Sequence, residues 1–275
     1  MARPHIEFVQ AQRLPWVEDA LGAGRPGVAA KILSRDAATG AMSAILRYPA
    51  GYRRPAETLG VDEEIVVLDG RIETEFGVLG ADCYGYWPRG LARQPMAAPD
   101  GAVALSFFSG PLAPGDATAF DASRCVGRVD IREGEWKADL AAMGLQVMAS
   151  HAWIRRLRSD PSTGEITYVT AVMPYFRETQ AERHPVVQEI FVLAGEVAGN
   201  TGVMRAGAYT WRPENVIHGP YGSTTGAVFF FRSHGGPQTT VHEPPQRYSF
   251  EVAHRPVLPP ELAPLGAPFP APPRY

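Results

Sequence analysis

Apolar and polar residues alternate along this chain in short runs that suit strands better than helices. Ile166-Thr167-Tyr168-Val169-Thr170-Ala171-Val172-Met173 is rich in β-branched and aromatic side chains and follows a Ser-Thr-Gly turn, which predicts a strand. Ala227 to Phe231 reads as a further, buried strand. The one helical candidate is short, Lys137 to Met143. From Arg255 to Tyr275 the chain is proline-rich and predicted to be extended. Over the whole chain 28 glycines and 26 prolines are spread so widely that many short strands joined by tight turns are expected.

The pattern then repeats. Ser34-Arg35-Asp36-Ala37-Ala38-Thr39-Gly40 returns as Arg158-Ser159-Asp160-Pro161-Ser162-Thr163-Gly164 at an offset of 164 − 40 = 124. Glu64 to Gly70 returns as Glu189 to Gly195, Tyr84 to Pro88 as Tyr209 to Pro213, and Gly101 to Val103 as Gly226 to Val228. These three share one offset, since 189 − 64, 209 − 84 and 226 − 101 all equal 125. Each copy opens with a stretch ending in tryptophan, Phe8 to Trp16 and Val129 to Trp136, which are expected to be packing anchors. A repeat of this length is a duplicated domain. The expected organisation is all-β: a barrel or jelly roll over residues 1–125, a second over 126–254, and a proline-rich tail over 255–275.

Composition narrows the partners. A net charge of −3 gives no footprint for nucleic acid or a membrane surface. No run of about 18 apolar residues is present, and the N-terminus lacks the apolar core of a signal peptide. Cys83 and Cys125 stand alone, without ligand spacing, and read as reduced thiols of a cytoplasmic protein. Neither a phosphate-binding glycine loop nor a Gly-x-Ser-x-Gly elbow occurs.

The second copy carries the chemistry. Glu182 and His184 are two apart, so on a strand both aim at one point. Glu189 follows, and His218 comes after Pro213-Glu214-Asn215. Imidazole and carboxylate together suit a divalent first-row metal: iron, manganese, nickel or zinc. The remaining histidines, His5, His151, His234, His242 and His254, match no ligand position. Tyr175, Phe176, Tyr209, Trp211, Phe229 and Phe231 read as core. With Ile190, Val192, Phe229 and Phe231 nearby, the interior suits a small organic acid, diketone or phenolic compound.

These residues resemble the cupin superfamily, whose first motif is His-x-His, four residues, Glu, six residues, Gly. Here Glu182-x-His184, four residues, Glu189 and five residues precede Gly195, and Pro213 and His218 resemble the second motif. The opening tryptophan, the Asp-x-x-Thr-Gly turn and the Glu-Ile-x-Val-Leu-x-Gly strand are most similar to ChrR-like cupins, a group that includes acetylacetone-cleaving dioxygenase. The resemblance implies two tandem double-stranded β-helix barrels, a bicupin. It also implies a metal held by Glu182, His184, Glu189 and His218, with iron(II) favoured. Because Glu182 replaces a histidine, a set of His184, Glu189 and His218 alone stays open. At the matching positions the first copy has Glu57, Leu59, Glu64 and Arg93, so no metal is expected there; Arg93 is expected to pair with Glu64. The implied activity is dioxygenase action on a small enolisable dicarbonyl or phenolic compound. Three alternatives are a non-redox isomerase, hydrolase or lyase, a binding sensor, and a metal-free scaffold. A monomer and a homodimer both fit.

Overall fold

The computed structural model describes residues 3–137 and 152–271. Among these residues there is no α-helix, only strands, turns and a few three-residue 3-10 segments. Among the described residues no helix is long and apolar enough to cross a membrane. Cys83 and Cys125 are both free thiols.

The described chain groups into two compact units, Leu14–Gly134 with Arg3, and Pro4–Arg13 with the chain from Glu135 onward. In the first, the main sheet runs Val126–Asp130, Cys83–Trp87, Glu63–Thr74, Ala102–Phe108, Met42–Tyr48, Ala29–Arg35. In the second it runs Ile6–Gln10, Ala208–Arg212, Val187–Gly199, Ala227–His234, Ile166–Val172, Ala152–Ser159. All pairings are antiparallel. The strand order is the same in both, so the repeat in sequence is a repeat of topology.

The grouping differs from the boundary that the repeat places at residue 125. Ile6–Gln10 pairs with Ala208–Arg212 in the second unit, and Val126–Asp130 pairs with Cys83–Trp87 in the first. Each opening strand thus covers a sheet edge in the other copy, an edge that would otherwise expose unpaired backbone. All five residues of Ile6–Gln10 are buried, including Glu7.

Two repeated motifs have local physical causes. Asp36 Oδ1 accepts the Ala38 and Thr39 N–H groups at 2.8 and 2.9 Å. Asp160 Oδ1 accepts those of Ser162 and Thr163 at 2.9 and 3.3 Å. This side-chain-to-backbone turn is what the Asp-x-x-Thr-Gly signature encodes. Gly70 and Gly195 stand at φ +73° and +74°, and a Cβ there would lie 2.3 and 2.1 Å from the carbonyl oxygens of Gly101 and Gly226. Only glycine fits so close an approach at positive φ.

The short helix expected from Lys137 lies largely outside the described residues, as does His151. Lys137 itself is bridged to Ile154, its N–H and C=O each bonded at 2.8 Å. The tail is extended and follows the second unit: Val257 bridges Glu7, and Arg205 donates to the Phe269 carbonyl at 2.7 Å.

Candidate metal centre and cavity

The second unit holds a partly open cavity of about 410 Å³. Glu182 lies in a two-residue strand, Glu182–Arg183, and exchanges two backbone hydrogen bonds of 2.9 Å with His218. Residues opposed in this way bring their side chains together, and His184 joins them from two positions further on. Glu182 Oε1 lies 3.5 Å from His184 Nε2 and 3.6 Å from His218 Nε2. The three ligand atoms are all within 4.8 Å of one another.

The imidazoles are fixed from behind. His184 Nδ1 lies 2.9 Å from the Thr239 carbonyl and His218 Nδ1 lies 2.9 Å from the Val216 carbonyl. A carbonyl only accepts, so each Nδ1 carries its proton and each Nε2 turns a lone pair toward Glu182. The two histidines are 3% and 2% exposed, and His218 Nε2 has no hydrogen-bond partner. The unpartnered His218 Nε2 lone pair and the Glu182 carboxylate face one point and repel unless a proton or a cation stands between them. Ligands about 2.1 Å from one ion lie roughly 3 to 3.4 Å apart, close to the spacing here. The donor set therefore fits a divalent metal.

Charges follow the same geometry. Burial pushes the Glu182 carboxyl up, and against it stand His184 and His218, which draw it far below the usual carboxylate range once their Nε2 atoms carry protons. Burial, and then the charge of Arg212, lower His218. Glu178, which also lines the cavity, is pushed up to about 8, first by burial and second by the Glu182 charge.

Glu189 is not brought to this point. Successive residues of Val187–Gly199 face opposite sides, and it is Gln188 that lines the cavity. Glu189 instead accepts the Tyr209 hydroxyl at 2.6 Å and pairs with Arg232 and His234. The first unit has the same arrangement, Tyr84 donating to Glu64 at 2.7 Å, so this carboxylate serves the sheet in both copies. The signal for Gln188 lies in the sequence: six residues separate it from Gly195, the Glu-to-Gly spacing of the resembled motif, although only three separate it from His184. The two ligand sets considered from sequence both included Glu189; the cluster that forms holds Glu182 with the two histidines.

Sequence reasoning also missed Arg212 and Glu7. Arg212 donates to both Glu7 oxygens, to Gln188 Oε1 at 2.6 Å and to the Tyr221 hydroxyl at 2.6 Å. Arginine cannot accept, so this contact orients the Gln188 amide oxygen toward it. The amide nitrogen therefore faces His184 Nε2, at 3.0 Å. Burial raises the Glu7 carboxyl, but Arg212 outweighs it and keeps Glu7 ionised.

In the first unit the matching position is filled by guanidinium groups. Arg93 pairs with Glu63, not with Glu64, because Glu63 is the inward counterpart of Gln188. Arg25 bridges Glu57 and Glu63 at 2.9 Å each, and Arg54 reaches Glu57 at 3.0 Å. Leu59 is buried there and offers no lone pair.

Against known proteins, the model of a family described as "Domain of unknown function (DUF4437)" matches residues 6–239. No curated protein matches. Among solved structures, a candidate dioxygenase from Nostoc punctiforme is similar, at TM-score 0.72 and 18% identity over 89% of this chain and 88% of that one. Salicylate 1,2-dioxygenase from Pseudoaminobacter salicylatoxidans, solved with gentisate, gives 0.53 and 12% over 74% and 72%. A cupin 2 conserved barrel domain protein from Leptotrichia buccalis gives 0.51 and 9% over 82% and 95%. At these identities the likeness is one of fold, and the fold is that of the cupins.

Proposed function

We propose that this chain, which belongs to the DUF4437 family, is a bicupin of the ChrR-like kind whose second unit is a metal-dependent oxygenase of small enolisable or phenolic compounds. The observation that carries the reading is the cluster of Glu182, His184 and His218, with an unpartnered His218 Nε2, on the wall of a 410 Å³ cavity. Two histidines and one carboxylate with room beside them are the donor set of non-haem iron(II) oxygenases, and such an ion supplies dioxygen activation when bound. The Thr239 and Val216 carbonyls fix the imidazoles that would hold it. Tyr168, Phe229 and Phe231 give the cavity an apolar wall that excludes water and positions a ring. The first unit, its centre occupied by arginine, is a scaffold. The similar dioxygenases support this reading by fold only.

One observation favours a second reading. Glu178, its carboxyl pushed up to about 8 by burial and then by the Glu182 charge, lines the same cavity, which suits proton transfer in a non-redox isomerase or lyase that uses the metal as Lewis acid. Oxygen uptake separates the two. Protein loaded anaerobically with iron(II) is mixed with enolisable dicarbonyls and phenols in an oxygen electrode cell. Substrate-dependent uptake is expected. Stoichiometric zinc in the protein as purified, with no uptake after iron loading, would overturn the oxygenase in favour of Lewis-acid chemistry.

A further inference from the structure

The cavity holds a charge pattern that decides what kind of molecule it takes. Among the described residues lining it, Arg212 is the one lysine or arginine. A carboxylate ligand would need that guanidinium, since a bidentate arginine is the common way a protein holds a planar anion. Arg212 is already committed. Four of its five N–H donors point at Glu7, Gln188 and Tyr221, and the Glu7 carboxylate, 2% exposed, cancels its charge. His184 and His218 turn lone pairs inward, and His242 is open to solvent. What remains uncompensated is acidic: Glu182 and, when ionised, Glu178. A divalent ion at Glu182 leaves a single positive charge, which one enolate or phenolate oxygen neutralises. A ligand with a carboxylate as well brings a second negative charge with no partner in a desolvated space.

The walls specify the rest. The Tyr168 and Phe231 rings stack at 4.8 Å with 3° between planes, and Phe229 lies 5.8 Å from Phe231. A cavity of roughly 150 Å³ holds benzene; this one, at about 410 Å³, takes a substituted ring. The Thr170 hydroxyl, 2% exposed, lines the cavity without a hydrogen-bond partner. Buried hydroxyls are rarely left so, and this one is available to a polar ring substituent.

We infer that the cavity takes an uncharged aromatic compound with a chelating pair of oxygens, such as a catechol or an aryl ketone with an adjacent hydroxyl, and discriminates against aromatic carboxylates. The inference rests on the metal-site reading and narrows it: small organic acids, admitted by the apolar interior, are disfavoured by the Glu7–Arg212 pair.

The test compares 2-hydroxyacetophenone with salicylate, which differ little in shape but by a charge. Binding of both is titrated calorimetrically to iron(II)- or zinc-loaded protein whose metal content is measured on the same sample. The uncharged ketone, or catechol beside it, is expected to bind at least tenfold more tightly than salicylate. In the double variant Glu7→Gln with Arg212→Gln, which removes both charges together, that ratio is expected to stay within about threefold. Salicylate binding as tightly as the ketone to metal-loaded protein overturns the inference, and so does binding of neither uncharged compound. Loss of salicylate binding alone in the double variant also overturns it, since Arg212 would then be an anion anchor. Absence of bound metal sinks the metal-site reading instead.

Discussion

Replacing Arg93 with methionine tests whether the first unit's centre is held by an arginine where the second offers metal ligands. Arg93 is 3% exposed and its partner Glu63 is 1% exposed, so the substitution strips a charge from a carboxylate that water does not reach. Breaking such a buried pair costs about 3 to 5 kcal/mol. Arg25 stays 2.9 Å from Glu63 and keeps part of the compensation, which puts the loss near the low end, about 3 kcal/mol. At roughly 4 °C per kcal/mol for a unit of this size, the first unit's midpoint falls by about 12 °C. The pH dependence gives a second handle. Burial raises the Glu63 carboxyl, but Arg25 and Arg93 outweigh it and hold the folded value below the usual carboxylate range. A group depressed in this way adds stability above its unfolded pKa, and that stability is lost as pH falls through the folded value. The gap between wild type and Arg93→Met is therefore full at pH 7 and narrows below about pH 4.5. Calorimetric melts and urea titrations at pH 7 and pH 3.5 read both effects. A loss under about 1 kcal/mol, the value for an exposed pair, or a gap that widens in acid, refutes the reasoning.

Three further outcomes follow from the cavity. Glu189→Gln keeps the full metal content but costs about 2 kcal/mol, because Tyr209, Arg232 and His234 lose a charged acceptor; loss of metal in this variant would make Glu189 a ligand after all. Gln188→Glu puts a carboxylate where an amide now donates to His184 Nε2, and metal affinity measured by chelator competition rises about tenfold. Weaker binding would show that the amide is required there. Glu178, with a folded value near 8 against 4.5, binds more protons folded than unfolded between those values, so metal-free protein loses stability as pH rises through that window. Glu178→Gln flattens this slope in melts from pH 5 to pH 8, and an unchanged slope would place its origin elsewhere.

How far the sequence carried can be judged from particular residues. The repeat exposed the architecture because its landmarks are local: the Asp36 and Asp160 turns are closed by their own side chains, and Gly70 and Gly195 stand at positive φ against carbonyls that leave no room for a Cβ. Strands such as Ile166–Val172 announced themselves by composition. Glu182, His184 and His218 were legible because two lie on one face and the third follows a matched proline. Glu189 was misplaced by one residue. On a strand a single step changes the face, so a five-residue gap before Gly195 in place of six separates the core-sheet glutamate from the cavity glutamine. The same slip turned Glu63 into Glu64 in the first copy. What stayed hidden is non-local. Nothing near Glu7 in the chain points to Arg212, 205 residues away, and Thr239 contributes only a backbone carbonyl to His184.

The most direct test is metal content. Untagged protein, prepared without chelator and reloaded with iron(II), manganese, nickel or zinc, is measured by plasma mass spectrometry beside a His184→Ala, His218→Ala double variant. The account predicts about one metal per chain in the native protein and none above background in the variant. No metal in the native protein after reloading, or equal metal in both, would contradict it.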